Sequence, residues 1–129
     1  NAKRIRARKR IKEDGTKVYE IWGPLFFGSI TAFNDKFDIK NDPQSVEIDF
    51  IESRISDHSA IEAIFNLVTK YKEEDKKIHL KHLSEDCKVL LHKSSPIFKE
   101  VILDAIDDPR YHLAENPEAF SKGLSDYKL

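Results

Sequence analysis

The chain has 129 residues, of which 40% are apolar and 35% charged, and its formal net charge is −1. These values predict one folded domain with a buried core and exclude a compositionally disordered chain. The single cysteine, Cys87, excludes an internal disulfide, and no apolar run approaches the roughly 18 residues of a membrane-spanning helix.

The N-terminal segment 3–12 predicts a basic first strand. Seven of the 22 basic residues lie in residues 1–12, which contain no acid, whereas the other 15 are outnumbered by 23 acidic residues. Ile5, Ala7 and Ile11 share one parity, which predicts a strand with one solvated, charged face. The same charges also predict a location near an anionic membrane surface, and the two interpretations are compatible. Aromatic residues are not interleaved with the basic ones, so nucleic acid is not expected as a partner.

A hairpin and a first helix follow. Asp14-Gly15 predicts the hairpin turn, and Gly23-Pro24 is expected to stop the second strand. The segment 29–37 then predicts a helix. Between them, Phe26 and Phe27 belong either to the core or to an exposed binding surface.

The segment 45–71 predicts a strand and an amphipathic helix. In SVEIDF (45–50), alternate apolar residues mark one face of a buried strand. The helix that opens at Ser59 has apolar residues at spacings of 3, 4, 7 and 10 from Ile61, namely Ile64, Phe65, Val68 and Tyr71. The free N–H groups at the start of this helix favour an anion, and the Ser59 hydroxyl is placed to take a phosphate. The alternative is that Asp57 or Ser59 only caps the helix.

The C-terminal third continues the alternation of strands and helices. We expect a strand over 78–83, a helix capped by Ser84 with Cys87 in the core, a strand within 98–106 and a helix from Asp107 onwards. The order β-β-α-β-α-β-α-β-α predicts a largely parallel sheet whose opening hairpin is antiparallel.

Motifs of catalysis and metal binding are not found in the sequence. It contains no glycine-rich phosphate loop, no nucleophile elbow and no zinc-type spacing of Cys and His. His79 and His82 are three apart, so in a strand they would point to opposite faces. We therefore expect neither an enzyme nor a metal site.

Two stretches carry a resemblance to a known family. VYEIWGPLFFGSITAF (18–33) and IDFIESRISDHSAIEAI (48–64) resemble the STAS domain, which sulfate transporters share with anti-sigma-factor antagonists. The closer likeness is to the SulP anion permeases. The resemblance implies an α/β STAS-like fold, with a mixed sheet of four to five strands, an N-terminal β-hairpin and about four helices. The domain is expected to span residues 1–114, followed by a partly ordered tail, 115–129.

The resemblance also implies a site. Ser59 falls on the serine that is phosphorylated in antagonists and Asp57 on the acid two positions before it, whereas His58 and Ala60 depart from the usual Asp-Ser-Ser-Gly or Asp-Ser-Thr-Gly. These four are expected to accept phosphate or to bind an anion or a nucleotide. Two further sets are expected at a partner surface (Gly23, Pro24, Phe26 and Phe27) and beside a membrane (Arg4, Arg6, Arg8 and Arg10).

The function that the resemblance implies is regulatory. The chain is expected to be the cytoplasmic C-terminal domain of a bacterial SulP-type transporter, on the inner side of the plasma membrane. Its partners would be the transmembrane domain of the same polypeptide and a regulatory protein, with no cofactor except a candidate nucleotide. One alternative is a free-standing antagonist switched by phosphorylation at Ser59. Another is a small enzyme acting on phosphate or nucleotide.

Overall fold

A five-stranded mixed sheet organises residues 4–55 and 57–103, the part of the chain that the computed structural model describes. The strands lie side by side in chain order: β1 (Arg6–Ile11), β2 (Lys17–Leu25), β3 (Ser45–Ile55), β4 (Lys77–Lys81) and β5 (Ile102–Leu103). β1 and β2 pair antiparallel as the predicted hairpin, and the later pairs are parallel. The predicted fold class is confirmed.

Four α-helices and one 3-10 turn connect the strands. They are the 3-10 turn Phe27–Ser29, α1 (Ile30–Asn34), α2 (His58–Glu73), α3 (Glu85–Ser94) and α4 (Phe98–Val101). α1 is shorter than the predicted helix 29–37. β5 lies within the segment 98–106, where a strand was predicted. The first part of that segment forms α4, which buries Phe98 and Val101 one helical turn apart. The helix predicted from Asp107 and the tail 115–129 lie outside the described residues.

The core lies between one face of the sheet and the apolar stripe of α2. Tyr19, Ile48 and Leu80 are neighbours across β2, β3 and β4, and each is fully buried. The predicted stripe of α2 is buried apart from Phe65, which is half-buried. Packing of this stripe fixes the position of the helix, and therefore of its N-terminus, over the sheet.

The end of β2 differs from the sequence prediction. Gly23-Pro24 does not stop the strand: pairing with β3 continues through Gly23 opposite Ser53 and through Pro24, up to Leu25 opposite Ile55. Gly23 has φ +94°, and a Cβ there would lie 2.6 Å from the carbonyl oxygen of Arg4. Glycine is therefore required both by the backbone conformation and by the close approach of the N-terminal segment.

The other face of β3 carries buried acids. Glu47 and Asp49 have the predicted parity, yet they are only 7% and 2% exposed. The Glu47 carboxylate lies 3.0 Å from the Lys12 ammonium, and Asp49 Oδ1 lies 2.7 Å from Nδ1 of His82. His82 follows β4 with φ +61°, so the strand alternation used to place it opposite His79 does not extend to it.

β1 is a solvated edge strand. Ile5 is buried and Ala7 half-buried, but Ile11, predicted on the same inner face, is 62% exposed. Ile11 pairs with Lys17 at the turn end of the hairpin, outside the hydrophobic core cluster. Within 4–55 and 57–103 no helix combines the length and the apolar character that crossing a membrane requires.

A buried carboxylate in the loop before β3, Asp42, was not predicted and links β2 to α2 at the opposite end of the sheet. Asp42, 5% exposed, accepts hydrogen bonds from the hydroxyls of Tyr19 (2.7 Å) and Tyr71 (2.5 Å) and from the Lys17 ammonium (2.7 Å). Burial alone would raise the pKa of Asp42, but these three donors outweigh it and lower the pKa below its ordinary value. Burial, together with the hydrogen bond to Asp42, raises the pKa of Tyr71.

A candidate docking site at the first turn of α2

Two loops meet at one edge of the sheet. β2 ends at Leu25 and β3 at Ile55, and these two residues are paired in register. The turn that follows β2 and the start of α2 therefore leave the sheet side by side. The carboxyl ends of parallel strands are the usual ligand-facing edge of such a sheet.

Asp57 caps α2. Its backbone is extended, and its Oδ1 accepts a hydrogen bond from the Ala60 N–H at 3.0 Å. The helix begins at His58, one residue earlier than predicted, because Asp57 and not Ser59 is the capping residue. Of the two residues predicted as caps, Asp57 is therefore the one that caps the helix.

The second oxygen of the same carboxylate holds the neighbouring turn. Asp57 Oδ2 accepts a hydrogen bond from the backbone N–H of Phe27 at 3.0 Å. Both residues were predicted as site residues, but the bond between them was not, because it joins residues 30 positions apart. Asp57 therefore satisfies two backbone donors that an external anion would otherwise find free.

A buried serine shapes the Phe26–Ser29 turn. Ser29 Oγ donates to the carbonyl oxygen of Pro24 at 2.9 Å and accepts from the Phe26 N–H at 3.1 Å. The turn leaves Phe26 39% and Phe27 76% exposed, so both are surface residues and not core. Sequence reasoning did not single out Ser29, although its position between a Pro and a helix start is typical of a local hydroxyl-to-backbone turn.

A shallow groove of about 450 Å³ lies between α1 and α2. Phe27 lines one part of it, together with Ile30 and Ala63, and Ser59 also lines it and is half-buried. The Ala60 side chain is fully buried, so this residue reaches the site only through its backbone, whose N–H donates to Asp57. His58 is exposed at the first turn. We call the set Phe27, Ile30, Ser59 and Ala63 the Phe27 surface.

The basic segment begins beside this edge. Arg4, Arg6, Arg8 and Arg10 are all exposed. Arg4 contacts Gly23 through its backbone, which brings the predicted membrane-facing and partner-facing sets together. Arg8 Nε lies 4.0 Å from the Glu20 carboxylate, and the Arg6 guanidinium lies 5.9 Å from the Trp22 ring centroid.

The groove is lined by charged side chains, namely Glu62, Lys70 and Glu73, as well as by apolar ones. In the described ranges, no group of three or more His, Cys, Asp or Glu side chains is arranged to hold a metal ion. Cys87 lies apart from the site, in the core, and burial raises the pKa of its thiol to about 12. The arrangement is suited to docking a partner.

The family model described as the STAS domain matches residues 7–108, so the chain belongs to the STAS domain family. The resemblance read from the two motifs is confirmed.

Relatives of the chain include transporters and antagonists. It is 32% identical over 75 residues to the sulfate transporter YbaR of Bacillus subtilis (strain 168); the match covers 58% of this chain and only 16% of that protein. A solved sulfate transporter family protein from Wolinella succinogenes has a TM-score of 0.61 at 20% identity, covering 88% of this chain and 93% of that one. A solved STAS domain of an antisigma-factor antagonist from Rhodobacter sphaeroides has a TM-score of 0.56 at 25% identity, covering 62% and 88%.

Proposed function

We propose that this STAS domain is the regulatory, non-catalytic domain of a bacterial SulP-type transporter of sulfate or a similar inorganic anion. It would lie on the cytoplasmic side of the membrane, beside the transmembrane domain of the same polypeptide. The observation that carries the proposal is the 32% identity to a sulfate transporter. The matched segment makes up 16% of the length of that transporter. A domain of this size accounts for a small part of such a protein and would act on the remainder.

The Phe27 surface supports docking as the means of regulation. An exposed phenylalanine is costly in water. Here its turn is held by hydrogen bonds that the N–H groups of Phe27 and Phe26 donate to Asp57 and Ser29. Large aromatic side chains that are fixed in place dominate the energetics of protein interfaces. The transmembrane domain, or a regulatory protein, would cover Phe27 and the groove beside it.

The basic edge strand supports a position close to the membrane. Arg4, Arg6, Arg8 and Arg10 are exposed on the strand that begins the domain. Basic residues that follow a transmembrane helix on the cytoplasmic side are attracted to the anionic inner leaflet. The charge pattern therefore matches a domain that follows the last membrane helix.

The proposal is tested in the full-length protein. The coding sequence upstream of residue 1 should encode several apolar spans of about 20 residues, and a start codon just before residue 1 would contradict the proposal. In that protein, Phe27→Ser should change the rate of anion uptake into vesicles without lowering its amount in the membrane. The matched control is Val89→Ser, since Val89 is an apolar residue of α3 that is 50% exposed. Equal effects of the two substitutions would argue against the Phe27 surface.

The alternative function is a free-standing antagonist controlled by phosphorylation of Ser59. The likeness to an antisigma-factor antagonist at 25% identity favours it. Against it, Asp57 already accepts from the Ala60 N–H next to Ser59, and a phosphate there would be repelled by that carboxylate. Incubation with a cognate kinase followed by intact-mass measurement tests it, with Ser94→Ala as the control for Ser59→Ala. A nucleotide titration with a phosphate-release assay tests the enzyme alternative, which requires turnover.

A further inference from the structure

β1 is an edge strand, and within the described ranges one side of it has no partner strand. The hairpin turn fixes which backbone groups point to that side. The Lys12 N–H donates to the Thr16 carbonyl oxygen at 2.8 Å, and the Gly15 N–H donates to the Lys12 carbonyl oxygen at 2.9 Å. Lys12 and Thr16 are therefore a hydrogen-bonded pair, next to the pair of Ile11 with Lys17.

The backbone of β1 presents free hydrogen-bonding groups at the edge of the sheet. Hydrogen-bonded and non-hydrogen-bonded pairs alternate along an antiparallel ladder. Counting back from Lys12 in the unshifted register, the even-numbered residues direct their backbone groups towards β2. The odd-numbered residues of β1 direct their N–H and C=O groups away from the sheet: Ala7, Lys9 and Ile11. Each of these has one donor and one acceptor, so the edge can pair with a further strand.

The side chains of β1 carry positive charge on both faces of the strand. Arg6 pairs with Trp22 and Lys9 with Tyr19, and each cation lies over the ring of its partner, 5.9 Å and 5.5 Å from the centroid. Lys9 is thus on the core side with the buried Tyr19, and the arginines are on the opposite side. Four of the six residues of β1 are exposed cations, namely Arg6, Arg8, Lys9 and Arg10.

This charge decides which kind of strand the edge accepts. Like charges opposite each other across a ladder are destabilising, so the edge disfavours a second copy of β1. A strand with acids at alternate positions would instead place its carboxylates beside the arginines. Within the described ranges, Glu20 is the one acid that forms a salt bridge with β1, and it lies 4.0 Å from Arg8 Nε. Most of the positive charge of the edge is therefore available to such a strand.

We propose that β1 binds an extended acidic segment of a partner protein by strand addition, with Asp or Glu at alternate positions of that segment. Main-chain hydrogen bonds supply affinity in this mode of binding, and alternate side chains supply specificity. The residues between the acids would lie on the core side, beside Ile11, which is 62% exposed. An anionic lipid surface would use the charges but not the row of N–H and C=O groups. Recognition of such a segment does not depend on the proposed function.

Synthetic peptides separate strand addition from attraction by charge. The 129-residue protein is titrated, by fluorescence anisotropy, with a peptide in which glutamate alternates with valine. A peptide of the same composition with its glutamates in one block is the control. The alternating peptide should bind about tenfold more tightly, since only its acids can all lie opposite the arginines. Equal binding of the two peptides would overturn the proposal in favour of a diffuse anionic partner, such as a lipid surface.

Backbone methylation of the alternating peptide tests the hydrogen bonds without changing the charge. One version is methylated at the nitrogens of the valines and the other at those of the glutamates. The version whose methyl groups face β1 should lose at least about tenfold in affinity, whereas the other should bind within about twofold of the parent. Equal affinities of the two methylated peptides would overturn the proposal.

Variants of the protein place the peptide on β1. Ala7→Pro removes one outward N–H and no charge, and proline is tolerated where the N–H of an edge strand faces solvent. It should weaken binding of the alternating peptide about fivefold, and the control Ala7→Val, which keeps the N–H, less than about twofold. Unchanged binding in an Ala7→Pro variant would overturn the proposal.

A pair of arginine variants keeps the test decisive whatever the effect of proline on folding. Arg10→Gln should weaken binding of the alternating peptide about threefold, the effect of one cross-strand charge pair. Arg54→Gln is the control, because Arg54 is an exposed arginine of β3, outside the edge strand, and its substitution removes the same charge. Selective loss in Arg10→Gln supports strand addition at β1, and equal losses in the two variants would overturn it.

Discussion

Asp57 in the cap of α2 holds Phe27 in the preceding loop through a hydrogen bond of 3.0 Å between its Oδ2 and the Phe27 N–H. Its other oxygen caps the helix by accepting from Ala60. The start of α2 and the presentation of the exposed phenylalanine are therefore coupled through one carboxylate. A partner that binds Phe27 would also affect the first turn of the helix.

Replacement of Asp57 should lower the stability of the protein more than replacement of an ordinary helix-capping residue does. Asp57→Ala removes the carboxylate that accepts from both N–H groups, so we expect the free energy of unfolding to fall by about 1–2 kcal/mol. Ser84→Ala is the control, because Ser84 caps α3 and, among the described residues, its side chain accepts from Cys87 alone. Urea denaturation of both variants measures the difference. An Asp57→Ala loss no larger than that of Ser84→Ala would show that the bond to Phe27 adds nothing to stability.

A paired glycine experiment isolates the contact between the N-terminal segment and β2. Gly23 and Gly15 have similar positive φ angles, +94° and +91°, but a Cβ at Gly15 would meet nothing within 4 Å. Gly15→Ala should lower the free energy of unfolding by about 1 kcal/mol, because alanine is strained at positive φ. Gly23→Ala should lower the free energy of unfolding clearly more, because its Cβ would also collide with the Arg4 carbonyl. Thermal unfolding compares them, and equal losses would contradict the close approach.

The buried carboxylate of Asp42 should govern part of the acid stability. Its pKa is lowered in the folded protein, so its contribution is complete above the ordinary value of 3.8 and is lost as the pH falls through the folded value. Asp42→Asn should destabilise by about 3 kcal/mol at neutral pH, since it leaves the Lys17 ammonium without its carboxylate partner. It should also flatten the loss of stability below pH 3.8.

Urea denaturation at several pH values tests this prediction. Asp35→Asn is the control. Asp35 is an exposed acid of the same loop region, and its substitution removes the same charge. An unchanged acid profile in Asp42→Asn would mean that other carboxylates dominate it.

Cys87 should be unreactive in the folded protein. The thiolate is the nucleophile, and burial raises the pKa of Cys87 from 9.0 to about 12. Alkylation by iodoacetamide at mildly alkaline pH should therefore be at least about a hundredfold slower than in denaturant. Because Cys87 is the single cysteine, intact mass reports it directly. Rapid labelling without denaturant would show that α3 opens readily.

Predictions from the sequence succeeded where a local pattern decides the structure. The alternation in β3, the helical stripe of α2 and the cap at Ser84 depend on residues close together in the chain. Predictions failed where distant contacts override a local signal. Gly23-Pro24 predicts the end of a strand. β2 nevertheless continues, because β3 supplies pairing partners on one side and the Arg4 backbone packs against Gly23.

Composition and periodicity by themselves determined that this chain forms a largely parallel α/β sheet with a basic first strand, and its two motifs marked it as a STAS domain. Only the tertiary structure decided which polar groups act together. The bond from Phe27 to Asp57 and the donors around Asp42 join residues at least 23 positions apart. Such contacts arise when hydrophobic packing brings the elements together, and no local pattern encodes them.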